Sequence, residues 1–299
     1  MSFKFLRIGI IGRGFVGGAI ERFYHERSKM SVLSYDIQDE PATGVDLNTG
    51  YSVIVKHGDI IYLCVPTPMD KNGRCYTGIV ELAVAVLNQY AKQHNKLPIV
   101  LIKSTMTPGT TEKMQKENPH LILVTNPEFL TERNAYEDMC SAKKHVFGIA
   151  DPKNNPIQEN LQELHEKLWP ECEVGFVSSR EAELIKYTIN SYLAVKVTFA
   201  NHIYNLCQAL GIDYSAFIRT VIHTDSRIGS SHLQVPGPDG HLGFGLSCIP
   251  KDLNGMIELF KDNDVDPGIL VSTKRYNNCV RPEQDWKELV GRAVMAKEE

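Results

Sequence analysis

The sequence lacks a long apolar run and an excess of positive charge. No apolar segment approaches the roughly 20 residues that a membrane-spanning helix requires. The formal net charge is -4, so the chain offers no overall basic surface for neutralising nucleic-acid phosphates. We therefore expect neither a membrane nor a nucleic-acid partner.

The sequence also lacks the spacings of a disulfide framework or a metal site. Its seven cysteines are scattered without a C-x-x-C pair, and its ten histidines show no H-E-x-x-H or related pattern. The N-terminal stretch MSFKFLRIGIIGRGF contains no small-residue cleavage site and predicts a strand, not a signal peptide. These features predict no bound metal and a reducing, cytoplasmic setting.

The arrangement of apolar segments predicts an α/β fold. The chain has 299 residues, of which 42% are hydrophobic and 23% charged, enough for two packed domains. Helical patterns at 15–25 and 78–92 alternate with apolar runs that read as strands. The predicted strands are 5–12, 31–36, 59–66, 98–105, 120–129, 145–150 and 171–179. This alternation predicts a Rossmann-type, doubly wound parallel sheet over residues 1–178.

A different pattern begins near Arg180 and predicts a mainly helical second domain over 179–299. About 30 helix-compatible residues follow without proline or glycine and end at Gly211. Such a helix is too long for a crossover, so we predict a spine that also forms a homodimer interface over 181–210. The apolar residues that motivate the dimer are Tyr192, Leu193, Val195, Val197, Phe199 and Ile203.

A glycine-rich motif joins the first strand to the first helix. Gly12, Gly14 and Gly17 form G-x-G-x-x-G, which suits a tight turn, close backbone approach to a pyrophosphate and helix–sheet packing. Arg13, Phe15 and Val16 complete this loop, and the helix start presents N–H groups to phosphates. Asp36 ends the next strand, where an acid binds ribose hydroxyls and repels a ribose phosphate. The motif predicts NAD as cofactor in preference to NADP, although Arg13 could reach a phosphate.

Six further blocks follow in order along the chain: CVPTPMDKNG (64–73), KSTMTPGT (103–110), NPEFLTE (126–132), EAELIKYTINSYLA (181–194), DSRIG (225–229) and GFGLSCIPKD (243–252). With the glycine motif they make the chain resemble the UDP-glucose/GDP-mannose dehydrogenase family over roughly residues 5–280. The resemblance implies NAD-dependent, four-electron oxidation of a nucleotide sugar's primary alcohol to a carboxylate.

The resemblance also implies roles for individual residues. Cys248 would capture the aldehyde as a thiohemiacetal and then carry the thioester, and Lys186 and Asn190 would hold the oxyanion and a water. Asp252 and Glu128 would serve as acid and base, with Glu132 and Thr105 placing water and nicotinamide. Val65, Thr67, Ser104, Thr105 and Glu132 would line the NAD site. The residues implied to bind substrate are Glu128, Phe129, Leu130, Lys186, Asn190, Arg227, Gly245 and Lys251.

The chemistry of these residue types agrees, but each has a plainer interpretation. A thiolate is a good nucleophile for an aldehyde, whereas a lone cysteine is usually a small core residue. Lys186 and Asn190 share one helix face, yet Lys186 could be a solvated lysine. Glu128 and Glu132 could be a capping or surface pair.

The sequence departs from the family pattern in two places. Only about 20 residues follow the point where family members begin a C-terminal domain that holds much of the substrate nucleotide, and QVPGPDGH (234–241) is an atypical insertion before the cysteine loop. Two alternatives therefore stay open. One is a two-electron hydroxy-acid or alcohol dehydrogenase, for which Cys248 would be superfluous, and the other is a non-catalytic NAD-binding subunit that needs a partner chain.

Overall fold

A computed structural model describes residues 6–39, 46–150 and 155–296. The contacts between Cα atoms divide the chain into two compact units, 1–67 with 77–186 and 68–76 with 187–299. The long helix passes from one unit into the other, since the division falls between Lys186 and Tyr187. Within the described residues, no helix combines the length and apolar character needed to cross a membrane.

The first unit contains a seven-stranded sheet in the order β2-β1-β3-β4-β5-β6-β7. The strands are β1 (Arg7–Ile11), β2 (Ser31–Tyr35), β3 (Ile60–Leu63), β4 (Ile99–Ile102), β5 (Ile122–Thr125), β6 (Lys144–Ile149) and β7 (Glu173–Ser178). Six of them lie inside a predicted apolar run, and β6 begins at Lys144, one residue before its predicted start, so the predicted strands are confirmed. One part of the predicted parallel sheet is wrong, because β6 runs antiparallel to β5. Continuous apolar runs are typical of parallel strands buried on both faces, but large α/β sheets often include an antiparallel strand with the same burial.

Helices cover both faces of this sheet. They are α1 (Phe15–Arg27), α2 (Leu47–His57), α3 (Gly78–Gln93), α4 (Thr110–Glu117), α5 (Ala135–Cys140) and α6 (Asn155–Leu168). One core joins sheet residues such as Ile61 and Val100 to α2, α3 and α4. The opposite core joins residues such as Ile10 and Phe147 to α1, α5 and α6. The doubly wound arrangement is therefore confirmed.

The second unit is helical. Its elements are the long helix α7 (Ser179–Leu210), which begins in the first unit, and α8 (Tyr214–Thr224), α9 (Cys248–Asp262) and α10 (Gly268–Val280). Tyr187 and Ala194 of α7 pack against Leu253 and Ile257 of α9 in one core. Farther along α7, Cys207 packs in a second core with residues of α8 and of the loop that follows it. The predicted spine helix is confirmed, and Gly211 ends it with a φ of +67°.

Candidate active site

The glycine loop has the geometry of a phosphate-binding turn. Gly12 has a φ of +86°, and a Cβ on Gly17 would lie 1.8 Å from the carbonyl oxygen of Gly12. Around Gly14, no heavy atom in the described part of the chain would lie within 4 Å of an added Cβ. The chain thus leaves open the position where a pyrophosphate would approach the backbone, so the residues present fit a dinucleotide.

The first turn of α1 contains no acidic side chain, and its N-cap, Gly14, makes no side-chain cap hydrogen bond. The N–H groups of this turn and the helix dipole favour an anion. Asp36 follows β2, and its carboxylate accepts hydrogen bonds from the backbone N–H of Arg13, at 2.5 Å, and of Gln38, at 2.9 Å. The predicted ribose acid is therefore held directly beside the glycine loop.

Two loops of the first unit meet beside the ends of β3 and β4. The hydroxyl of Ser104 donates to the carbonyl oxygen of Val65 at 2.6 Å. Thr105 follows Ser104 and is half-buried, and Thr67 is buried. The structure thus brings together Val65 and Ser104, two of the residues predicted to line the cofactor site.

Lys186 and Glu128 form a buried ion pair in the first unit. The Lys186 ammonium donates to the Glu128 carboxylate at 2.9 Å and to its carbonyl oxygen at 2.7 Å, and both residues are less than a tenth exposed. The same carboxylate accepts from the backbone N–H of Leu130 at 2.7 Å, and Lys186 lies 5.7 Å from the centre of the Phe129 ring. This burial excludes a solvated helix lysine and a surface glutamate. Glu132, by contrast, is only half-buried, at the start of a short 3-10 turn.

Lys103, which the sequence analysis did not assign to the site, interacts electrostatically with this pair. Its ammonium donates to the side-chain oxygen of Asn126 at 2.9 Å, two residues before Glu128. Burial lowers the pKa of Lys103 to about 8, the charges of Cys64 and Glu128 oppose that shift, and Lys186 adds to it. A second cation therefore lies within electrostatic range of the ion pair. The sequence feature that could have identified Lys103 was its place in the KSTMTPGT block.

The second unit contains the other half of the predicted catalytic set. Cys248 is the first residue of α9, half-buried, with its sulfur 3.6 Å from the Ser247 hydroxyl. Lys251 and Asp252 lie one turn further along the helix and form a buried ion pair. The amide of Asn190 donates to Asp252 at 2.5 Å.

Electrostatics link this pair to the cysteine. Burial pulls the pKa of Lys251 down, but electrostatic interactions with Asp252, Cys75 and Cys248 and a hydrogen bond to Asp252 outweigh it and raise the pKa overall. The positive end of a helix dipole and a permanently charged lysine both stabilise negative charge at the Cys248 position. The arrangement therefore suits a thiolate nucleophile.

Two predicted substrate residues of the second unit contact other side chains. Arg227 is on an exposed loop, where its guanidinium pairs with Asp225 at 2.5 Å. Gly245 lies against the buried guanidinium of Arg281, and a Cβ there would approach it within 2.4 Å. Gly245 therefore serves the packing of the cysteine loop in this structure, and its predicted substrate contact stays a prediction.

The inserted segment before the cysteine loop is anchored by the same arginine. Arg281 pairs with Asp239 of the insertion at 2.8 Å and with Asp285 at 2.6 Å. The second Asp285 oxygen accepts from the backbone N–H of Leu246 at 3.1 Å. A residue beyond the predicted motifs thus fixes both the insertion and the loop that precedes Cys248.

Two family models match the chain. The NAD-binding domain of the UDP-glucose/GDP-mannose dehydrogenase family matches residues 42–169, and the family's central domain matches residues 180–279. A UDP-glucose 6-dehydrogenase of Bacillus subtilis is 32% identical over 214 residues, which are 69% of this chain and 43% of that protein. A GDP-mannose 6-dehydrogenase of Pseudomonas aeruginosa is 29% identical over 91% of this chain and 70% of its own length.

Solved structures agree with these matches. A UDP-glucose dehydrogenase from Pyrobaculum islandicum superposes with a TM-score of 0.76 at 26% identity, covering 93% of this chain and 69% of the other. A 3-hydroxyisobutyrate dehydrogenase from Mycobacterium tuberculosis superposes with a TM-score of 0.71 at 14% identity, a likeness of fold alone, over 94% and 96% of the two chains. The chain spans about half the length of several curated relatives that it matches. Both halves of the described structure match one family, and the chain belongs to the UDP-glucose/GDP-mannose dehydrogenase family.

Proposed function

We propose that the chain is an NAD-dependent nucleotide-sugar 6-dehydrogenase that oxidises a primary alcohol to a carboxylate through Cys248. The observation that carries this proposal is the position of Cys248 at the start of α9, one turn from the buried Lys251–Asp252 pair. A four-electron oxidation needs a nucleophile to hold the aldehyde, and a thiol placed in this way supplies one.

The glycine loop and Asp36 would hold the cofactor in this proposal. Gly14 leaves space for the pyrophosphate beside the first turn of α1, in a tight turn that Gly12 and Gly17 make possible. Asp36 would accept hydrogen bonds from ribose hydroxyls. When bound, oxidised NAD accepts hydride from the substrate carbon. The task of the chain's own residues is to hold charge and protons at the reacting oxygen and sulfur.

The buried charges match those tasks. Lys186 is a cation kept in a dry environment by Glu128, so it can stabilise an alkoxide strongly without reorganisation. Asn190 is fixed by Asp252 and offers an amide dipole four residues farther along the same helix. Asp252 and Glu128 are the carboxylates available to take protons from an attacking thiol or water.

Hydrolysis completes the proposed cycle. The Cys248 thiolate adds to the aldehyde carbon, and oxidation of that adduct leaves a thioester. Water then cleaves the thioester to the carboxylate and regenerates the thiol. Because the chemistry requires a reduced thiol, the proposal includes a reducing, cytoplasmic setting.

Both the UDP- and GDP-linked sugars named in the relatives are candidate substrates. The curated relatives are described as UDP-glucose and GDP-mannose 6-dehydrogenases. The shared chemistry is a hexose carrying a primary alcohol on a nucleoside diphosphate. We therefore propose this class and leave the sugar and the base to the experiment below.

A two-electron hydroxy-acid dehydrogenase is the second candidate. The observation that favours it is the presence of a buried lysine and a buried amide on one helix face, groups that a one-step oxidation also needs. Lys186 and Asn190 would serve a one-step oxidation equally well. The thiol at the start of α9 has no task in such a reaction, which favours the first candidate.

We also propose a homodimer through α7. Within the second unit, Tyr192 and Phe199 are 64% and 62% exposed, and Leu206 and Leu210 continue the same exposed apolar stripe. The spacing of seven, seven and four residues keeps them on one helix face. The other predicted contacts differ, since Val195, Val197 and Ile203 pack partly within their own unit.

Counting reduced cofactor per substrate separates the candidates. A thermal-shift screen with NAD+ and UDP-sugars, GDP-sugars, free sugars and hydroxy acids identifies the ligand that stabilises the folded chain. We expect two NADH for each nucleotide sugar consumed. One NADH for each hydroxy acid would favour the second candidate, and no turnover with any of them would favour a non-catalytic NAD-binding subunit.

A further inference from the structure

Glu183 is a buried carboxylate on α7 to which the sequence analysis gave no role. It is 1% exposed and accepts three hydrogen bonds from the start of α4. The donors are the backbone N–H of Gly109 at 2.6 Å, the backbone N–H of Thr111 at 2.9 Å and the Thr111 hydroxyl at 2.7 Å. Glu183 therefore ties the end of the β4–α4 loop directly to the long helix within the first unit.

The loop held in this way contains two candidate site residues. Ser104 and Thr105 lie between β4 and the clamped residues, and the hydroxyl of Ser104 anchors the start of the loop to Val65. The loop is thus fixed at one end by Val65, in the loop that follows β3, and at the other by Glu183. Its geometry relative to α7 depends on the second anchor.

The same network reaches the segment that carries Glu128. The hydroxyls of Thr111 and Thr125 lie 2.8 Å apart, and Thr125 is the last residue of β5, three residues before Glu128. If Thr111 donates its proton to Glu183, Thr125 donates to Thr111. Thr111 therefore links β5 to the loop end that Glu183 holds, and Lys186 lies one turn farther along the helix of Glu183.

Apolar packing alone does not account for a carboxylate at this position. Burial raises the pKa of Glu183 to about 7, against the hydrogen bonds from Thr111 and Gly109, and nearby Glu112 raises it further. A buried charged group loses its hydration, so its presence is weak evidence that it stabilises the fold. Fixing one geometry is a better-attested use of such a group. The three donors aimed at this carboxylate define such a geometry.

We propose that Glu183 is a positioning residue that sets the place of the Ser104–Thr105 loop relative to Lys186. This inference rests on the proposed function, in which the loop lines the cofactor site and Lys186 holds the oxyanion. Glu183 touches neither substrate nor cofactor in this account. Its effect is transmitted through Gly109, Thr111 and the loop.

The test compares Glu183→Gln with a matched control, Arg180→Gln. Arg180 lies on the same helix and bonds Glu112 of α4 at 2.7 Å, so the control breaks an exposed tie between the same two elements. We expect Glu183→Gln to raise the hydrogen-exchange rates of the Gly109 and Thr111 amides at least tenfold. We also expect it to weaken NAD+ binding in calorimetry and to lower kcat at least tenfold, with the sugar KM within twofold. Arg180→Gln should leave all of these within about twofold.

A second pair of variants covers the case in which Glu183→Gln does not fold. Thr111→Val removes one donor to the carboxylate, and Thr111→Ser restores it, so NAD+ affinity and kcat should fall in the first and recover in the second. Folded variants with NAD+ affinity and kcat within twofold of wild type would overturn the proposal. Hydrogen exchange and NAD+ affinity need no sugar, so a failure of the proposed function is distinguishable from a failure of this inference.

Discussion

At the scale of single residues, burial separates functional side chains from plausible surface ones. Sequence reasoning selected Lys186, Glu128 and Asn190 from motif positions, but helical periodicity left Lys186 open to a solvated interpretation. The structure shows the Lys186–Glu128 pair buried with two short hydrogen bonds. Burial depends on which elements pack together, so the sequence of one helix could not predict it.

Glu183 was missed for a related reason. It lies within the block EAELIKYTINSYLA (181–194), one helical turn before Lys186. Its partners Gly109 and Thr111 are more than 70 residues away along the chain. Spacing relative to Lys186 was the only available signal, because long-range hydrogen bonds leave no local pattern.

Asp36 leads to a prediction about cofactor choice. Its carboxylate is held beside the glycine loop by the N–H groups of Arg13 and Gln38, where it would repel a ribose phosphate. Calorimetric titration should show NAD+ binding at least tenfold tighter than NADP+, a difference of about 1.4 kcal/mol. Asp36→Asn should reduce that preference below threefold. Glu26→Gln, which removes an exposed carboxylate of α1, should preserve it.

Equal affinity of the wild-type chain for the two cofactors would contradict the role given to Asp36. A preference that survives in Asp36→Asn would assign the discrimination to another group. The neighbouring Arg13 side chain would then be the next residue to replace.

Two buried histidines predict acid sensitivity of the first unit. His165 stacks on Trp169 and lies edge-on to His145. Burial lowers the pKa of His165 to about 4, and burial and the charge of His165 lower the pKa of His145 still further. The unfolded chain binds these protons near pH 6.5 and the folded chain does not. Stability is therefore present above about pH 6.5 and is lost as pH falls below that value.

Each histidine should contribute a slope of about 1.4 kcal/mol per pH unit between pH 6.5 and pH 4. Urea unfolding from pH 7.5 to pH 4.5 measures the free energy of unfolding at each pH. In His165→Phe, the free energy of unfolding should change less steeply with pH, by about the slope that one histidine contributes. The contributions of carboxylates are the same in both proteins. Parallel curves for wild type and variant would show that His165 is not the cause.

At the scale of secondary-structure elements, segments with a clear apolar run or face were predicted, and most of the more polar helices were not. The seven strands and helices α1, α3 and α7 were predicted because each contains a clear apolar run or face. Helices α2, α4, α6 and α8 were not. Helix α2 contains a glycine and β-branched residues, and α4 is short and polar. Helix α6 places Ile157, Leu161 and Leu164 on one face. That last signal was present in the sequence and was overlooked.

The helix α7 carries the prediction of a dimer. Tyr192 and Phe199 are exposed on one face of α7 in the second unit, where burying them would remove two large apolar side chains from water. Light scattering at micromolar concentration should give twice the mass of one chain. The double variant Tyr192→Glu with Phe199→Glu should give the mass of one. Gln208→Glu, an exposed polar position of the same helix, should leave the dimer intact.

A wild-type protein with the mass of one chain under these conditions would contradict the dimer. A dimer that persists in the double variant would place the interface on another surface. Circular dichroism of the variants should match wild type, because both substituted side chains lie largely in solvent.

At the scale of the whole molecule, each of the two units contains some of the predicted site residues. The first contains the glycine loop, Asp36 and the Lys186–Glu128 pair, and the second contains Cys248, Asn190 and the Lys251–Asp252 pair. Sequence motifs predicted most of these residues. They did not predict the boundary within α7 or the assignment of residues 68–76 to the second unit, because both depend on contacts far apart in sequence.

In the proposed mechanism, Cys248 holds the aldehyde between two oxidations. Without the thiol, the second oxidation has no tetrahedral adduct from which to start. Covalent catalysis and oxyanion stabilisation together are commonly worth several powers of ten in rate, on the order of 4–8 kcal/mol of barrier. Replacing the thiol should therefore abolish acid formation almost completely and leave cofactor binding unchanged.

The most direct measurement compares acid and NADH formation by wild type, Cys248→Ala and the control Cys279→Ala, an exposed cysteine of α10. Each protein is mixed with NAD+ and its best nucleotide sugar, and the products are quantified by mass spectrometry. Wild type and Cys279→Ala should form two NADH and one carboxylate per sugar. Cys248→Ala should bind NAD+ normally and form acid at least 1,000-fold more slowly, on the order expected from the barrier above. Acid formation by Cys248→Ala within tenfold of the wild-type rate would contradict the mechanism and favour the one-step alternative.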